Sequence, residues 1–216
     1  MTTLYIWRHP KPLAAAGICL GHTDMGVDRR KLKRLAHQIE RFVRGYQLPK
    51  VIWVSPLQRS LRVGQLLTQR GFVCHVAPEL AEMNFGAWDG KAWSKISKED
   101  IDNWCDNFAD FAPKDGESLQ QLFERVGVWL SEQGTIQDRW QKNALVMSGC
   151  TLSDVTVEFE PEPKAMPILA VGHAGWITAA KMIMAGKGVP KLAAEWSAPV
   201  AYNQLSIFKY ARNVSS

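Results

Sequence analysis

Leu4-Tyr5-Ile6-Trp7 is an unbroken apolar run, and it gives way at once to Arg8-His9-Pro10-Lys11-Pro12. Prolines this dense exclude a helix and impose a rigid, extended loop. The run is therefore read as a short buried strand of the kind found in parallel sheets, with helices over both faces. Ligands in open α/β sheets bind outside the carboxyl ends of the strands, which is where Arg8 and His9 fall. Alone, the pair reads as a surface charge and a satisfied core histidine. Other strand ends change that weighting.

From Asp28 onward, Leu32, Leu35, Ile39, Phe42 and Val43 recur at helical spacing, with Gly45 as a stop. Val51–Val54 is a second apolar strand, and Ser55-Pro56 predicts a helix N-cap followed by proline in the first turn. Arg59 then sits in that first turn, at the end of the helix dipole that favours anions; a solvated arginine is the plain alternative. Phe72–Val76 reads as a third strand with His75 in a structural role. Pro78–Gly90 is an aperiodic loop. Its Glu82, near Phe85 and Trp88, is a candidate for a desolvated general acid, although a loop glutamate is ordinarily an exposed carboxylate.

Lys98–Phe111 holds a short helix. Ser118 with Gln121 forms a capping box ahead of the stripe Leu119, Leu122, Phe123, Val126, Trp129 and Leu130, with Gly134 closing the helix. Ala144–Met147 and Val155–Phe159 are strand-like, and a Pro-rich loop follows at 160–164. Ile168–Val171 is another buried strand. It ends in Gly172-His173-Ala174-Gly175, where a helix to Ala185 begins, and Leu205–Phe208 is a last strand.

Strand–helix alternation predicts an α/β layered fold, and no internal boundary divides residues 1–216. The chain's 216 residues, 46% hydrophobic and 22% charged, suffice for a core without disulfides or metals. The net charge of +5 suits an anionic ligand. The basic run Arg29, Arg30, Lys31, Lys33 and Arg34 lies on an amphipathic helix and reads as its solvated face, so no nucleic-acid partner is expected. Cys19, Cys74, Cys105 and Cys150 form no C-x-x-C unit, so neither a zinc site nor a redox motif is expected. No run approaches the roughly 18 apolar residues of a membrane span. A cytoplasmic location and no membrane partner are the default expectation.

Arg8 with His9, Arg59 and His173 thus reach one sheet edge from separate strand ends, with Glu82 brought by a loop. Two arginines and two histidines suit a dianion, since guanidinium forks match phosphate oxygens. These residues resemble the histidine phosphatases (phosphoglycerate mutase-like superfamily). The landmarks are Arg8-His9, Ser55-Pro56-Leu57-Gln58-Arg59-Ser60, Leu80–Gly90, Gly116-Glu117-Ser118 and Val171–Gly175, in order. The resemblance implies a three-layer α/β/α sandwich with a mostly parallel central sheet. It also implies a metal-independent phosphomonoester hydrolase, without a cofactor, acting on a small-molecule phosphate monoester.

By the same resemblance, His9 attacks phosphorus and forms a phosphohistidine, and Glu82 acts as acid and then base. Arg8, Arg59 and His173 bind the phosphate. A backbone carbonyl on the far N–H of His9 would fix its tautomer. Gly17–Asp24 resembles the α-ribazole phosphatases, which remove the 5′-phosphate of α-ribazole phosphate late in cobalamin synthesis; Trp88 or Trp93 would suit an aromatic nucleoside. A broad-specificity phosphatase of sugar phosphates or nucleotides, and a non-catalytic phosphate-binding relative, are the alternatives. Departures from the family pattern are Pro10 and Lys11, where glycine and glutamate are common, and Ala15, where many members carry asparagine. Thr23 is a candidate to replace that contact. Residues 141–166 exceed what the family needs and hold, from Ala144 to Phe159, a stretch read as an inserted hairpin of unassigned role, and the oligomeric state is left open.

Overall fold

The computed structural model describes residues 2–147 and 166–210, with side chains described for all of these except 134–147 and 210. Among them are the strands β1 (Thr2–Arg8), β2 (Val51–Val54), β3 (Val73–Val76), β4 (Ile168–Gly172) and β5 (Leu205–Tyr210). The helices are α1 (Arg29–Gly45), α2 (Gln58–Thr68), α3 (Lys98–Asp106), α4 (Leu119–Met147) and α5 (Ala174–Met184). The sheet order is β3-β2-β4-β1-β5, parallel except for β5, which runs antiparallel to β1.

Alternation along each strand divides the core in two. Leu4 and Ile6 of β1, with Ile168 and Ala170 of β4, pack on the side of α4 and α5, against Trp129, Trp176 and Ile177. Trp7, Leu169 and Val171 face the other way and join Leu35, Ile39 and Val63 of α1 and α2. All five residues of β4 are buried, as a strand covered on both faces must be. The result is the expected α/β/α sandwich with a mostly parallel sheet.

The helix ends show the local chemistry at work. Asp28 caps α1 by accepting from the Arg30 N–H. Ser118 and Gln121 form the reciprocal pair of the capping box, Gln121 N–H to Ser118 Oγ and Ser118 N–H to Gln121 Oε1. Ser55-Pro56 does not cap α2. Ser55 Oγ accepts from the Leu57 N–H in a turn of its own, and the helix starts at Gln58 with Leu57 as its N-cap.

A second correction concerns α4, which runs through Gly134 to Met147. Ala144–Met147 is therefore helical rather than strand-like. An interior glycine costs a helix only about 1 kcal/mol relative to alanine, and no proline follows before Met147 to break it. The rest of the expected hairpin, 148–165, lies outside the described residues.

Candidate active site

The carboxyl ends of β1, β2 and β4 converge because β4 lies between the other two. The His9 N–H donates to the Gly172 carbonyl at 3.0 Å, so the residues leaving β1 and β4 are tied together. His9 and His173 then face one another with ring centroids 4.9 Å apart, both almost fully buried. His9 Nδ1 lies 2.8 Å from the Pro10 carbonyl oxygen. A carbonyl only accepts, so Nδ1 carries the proton and Nε2 keeps its lone pair.

Arg59, 1% exposed, enters from the second position of α2. Its Nη1 and Nη2 donate to the carbonyls of Thr23 and Gly21, and its Nε donates to His173 Nδ1 at 3.3 Å. That bond makes Nδ1 of His173 the acceptor, so its Nε2 carries the proton, and this buried N–H has no partner among the described residues. Arg8 Nε is likewise buried and unpartnered. Two orphaned donors beside one buried histidine are costly unless an acceptor arrives, and an oxyanion is such an acceptor.

Glu82 is 7% exposed. Its carboxylate accepts from three backbone N–H groups: Met83 and Trp176 on Oε1, and Gly175 on Oε2. Two of these belong to the first turn of α5, the positive end of that helix. The approach requires Gly175, because a Cβ there would stand 2.5 Å from Glu82 Oε1. Arg125 of α4 clamps the loop behind, donating to the carbonyls of Glu79, Ala81 and Glu82 and pairing with Glu117 at 2.6 Å.

Electrostatics follow burial. His9 is held well below the ordinary histidine value, by burial first and by the Arg59 and Arg8 charges next, while the Pro10 bond opposes them. His173 is lowered well below its ordinary value too, by burial and then by Arg59. Both imidazoles are neutral at pH 7. Burial also lowers Arg8 and Arg59; Tyr202 and Glu82 oppose this at Arg8, and Glu82 and Asp24 do so at Arg59.

A cavity of about 330 Å³ opens over Arg8, His9 and Glu82. Beyond these three its wall includes Leu20, Phe85, Trp93, Trp104, Phe108 and Trp196. The wall therefore combines the Arg8, His9 and Glu82 groups with a broad aromatic surface.

The family model of the histidine phosphatase superfamily (branch 1) matches residues 4–160. The chain belongs to the histidine phosphatase superfamily. Its activity is that of a phosphatase hydrolase. It is 27% identical over 150 residues to the adenosylcobalamin/α-ribazole phosphatase of Escherichia coli K12, a match covering 67% of this chain and 72% of that protein. The enzyme of the same name from Salmonella typhimurium matches with the same identity and coverage. Among solved structures, a mycobacterial glucosyl-3-phosphoglycerate phosphatase superposes with a TM-score of 0.69 at 21% identity, over 96% of this chain and 89% of that one. The α-ribazole phosphatase of Shigella flexneri does so with a TM-score of 0.62 at 20% identity, over 95% and 89%. At these identities the structural likeness establishes the fold.

This histidine phosphatase thus brings together all five residues singled out from its sequence: Arg8, His9, Arg59, Glu82 and His173. Of the two tryptophans considered for stacking, Trp93 lines the cavity, whereas Trp88 lines a separate one. Ala15 contributes an apolar patch to the wall. Thr23 acts through its backbone, holding Arg59 by its carbonyl, while its side chain meets Gly90.

Four contributors were given no role from the sequence. Asp89 accepts from the N–H groups of Gly21, His22 and Thr23, and so shapes the loop whose carbonyls hold Arg59. Gly21 has no room for a side chain, since a Cβ would sit 2.3 Å from the Met83 carbonyl oxygen. The acidic residue in the Trp88-Asp89-Gly90 turn was the available signal for this loop. Arg125 lay at a polar position of the α4 stripe, and Tyr202 lay between elements with no periodicity to mark it.

Proposed function

We propose that this phosphatase works by two phosphoryl transfers through His9, without a metal. The observation that carries the reading is the state of His9: buried, neutral, with Nδ1 bound to the Pro10 carbonyl and its Nε2 lone pair free. A phosphate monoester enters the cavity with Glu82 protonated. His9 Nε2 attacks phosphorus, the ester P–O bond breaks, and Glu82 gives its proton to the departing oxygen. The leaving alcohol is released. A water molecule then gives a proton to Glu82 and its oxygen attacks phosphorus; the N–P bond breaks, and inorganic phosphate and neutral His9 result.

Arg8, Arg59 and His173 act as preorganised donors to the non-bridging oxygens as charge redistributes. The orphaned N–H groups of Arg8 and His173 support this assignment. Their reorganisation cost is met in the fold, before substrate arrives.

For the substrate, the aromatic wall of the cavity supports a nucleoside-like leaving group, and the names of the relatives support α-ribazole 5′-phosphate. Phosphate release in EDTA from a panel of α-ribazole 5′-phosphate, sugar phosphates, nucleotides and p-nitrophenyl phosphate tests both levels. A marked preference for α-ribazole phosphate that survives EDTA agrees with the proposal. Comparable turnover of the whole panel removes the narrow substrate and leaves the mechanism. Undiminished turnover by His9→Ala removes the mechanism.

A further inference from the structure

We propose that Tyr202 is a positioning residue: the face of its ring sets the plane of the Arg8 guanidinium, so that one edge is offered to the substrate. The proposal rests on the reading of Arg8 as a phosphate ligand. Arg8 Cζ lies 3.7 Å from the Tyr202 ring centroid, inside the roughly 6 Å over which a cation is attracted to an aromatic face. The same ring meets His9 edge-on, at 5.6 Å between centroids and 61° between planes. Tyr202 therefore touches both the arginine and the nucleophile, and it lines the cavity they share.

The segment around Tyr202 grips Arg8 at further points. The Arg8 N–H donates to the Gln204 carbonyl at 3.0 Å, and the Asn203 N–H donates to the Arg8 carbonyl at 3.1 Å. These bonds fix the backbone. Arg8 Nη1 donates to the Val200 carbonyl at 2.5 Å and fixes one corner of the guanidinium. One corner leaves the plane free to turn about it, and a cation stacked on a ring is not free in that way. Asn203, at φ 62°, adopts the left-handed conformation that lets the chain double back here.

With one Nη1 N–H given to Val200 and one face covered, the edge left wholly free of that bond is the one formed by Nε and Nη2. That edge of the fork is the arrangement that matches two oxygens of a phosphate. Nε is buried and has no partner among the described residues, as this account requires. No other aromatic ring lies over a guanidinium among the described residues.

The test is a double-mutant cycle on Arg8→Ala and Tyr202→Leu, read as kcat/KM for p-nitrophenyl phosphate and as inhibition by orthovanadate. Tyr202→Leu is expected to weaken both about tenfold, a desolvated cation–π contact being worth that much, and to weaken neither further when Arg8 is already alanine. Tyr202→Phe restores most of the loss, because the ring face remains. Tyr202→Met serves if the leucine variant does not fold. Wild-type values for Tyr202→Leu, an equal loss for Tyr202→Phe, or an undiminished effect in the Arg8→Ala background each overturn the proposal. His9→Ala, assayed alongside, reports on the parent mechanism separately: full turnover there defeats the phosphohistidine reading whatever the cycle shows.

Discussion

Two neutral histidines sealed in one site make the stability of this protein depend on pH. His9 and His173 are held well below the ordinary value of 6.5, by burial first and by the Arg59 charge next. In the unfolded chain they regain that value. Below pH 6.5 the unfolded state therefore binds more protons than the folded one, so stability is complete above pH 6.5 and falls as the pH falls. Each histidine contributes a slope approaching 1.4 kcal/mol per pH unit, about 2.7 for the pair. With both groups neutral in the folded protein down to pH 5, the combined loss from pH 6.5 to 5 is about 3 kcal/mol, a large share of the 5–15 kcal/mol typical of a domain. Carboxylates with ordinary values titrate mostly below this window. The measurement is urea unfolding at intervals between pH 7.5 and 5, in buffers without phosphate, since an anion in the site would stabilise the fold by its own binding. His173→Gln, which keeps an acceptor for Arg59, is expected to show about half the slope. A stability that is flat over this range, or that rises on acidification, refutes the reasoning.

The Glu82 carboxylate is held by the first turn of α5, so Gly175→Ala, whose Cβ would stand 2.5 Å from Oε1, displaces it. We expect kcat to fall about 100-fold for an alkyl phosphate and far less for p-nitrophenyl phosphate, whose leaving group needs little protonation; equal losses would contradict the role given to Glu82. Asp89→Ala releases the N–H groups of Gly21, His22 and Thr23. It is expected to destabilise the fold by about 3 kcal/mol in urea and to raise KM by loosening Arg59. The Cys19 thiol is fully buried and pushed up to about 12 by burial, with Asp89 adding to it. Peptide mapping after thiol alkylation of the native protein at pH 8 should find Cys19 unlabelled, and labelled only after unfolding.

How much of this was legible beforehand differs by residue. Arg8, Arg59 and His173 stood where apolar runs stopped, and a parallel sheet brings such points together whatever its helices do. Glu82 had no such anchor: its place depends on Gly175 and on the first turn of α5, 93 positions away, and its aromatic neighbours were a weak signal until the family pattern joined them. The Pro10 carbonyl, which fixes the His9 tautomer, belongs to a residue whose significance in the sequence lay in the N–H it lacks. Tyr202 and Asp89 act through contacts with residues 194 and 68 positions distant, and nothing local distinguishes such residues from other loop residues. The errors were local in origin. Gly134 has a helix-stopping residue type but sits inside α4, and Ser55-Pro56 has a cap's composition but turns two residues too early. Propensity sets only a small cost in both places, and such a cost does not by itself decide where a helix begins or ends.

The central claim is that the phosphoryl group passes through His9. Rapid acid-free quenching during turnover of p-nitrophenyl phosphate, followed by mass spectrometry of the peptides, tests it directly. The account predicts an acid-labile phosphoryl adduct on the peptide carrying His9, formed on mixing, decaying as substrate is exhausted, and absent from His9→Ala along with turnover. Steady turnover with no adduct on that peptide, or with the adduct elsewhere and His9→Ala still active, would contradict it.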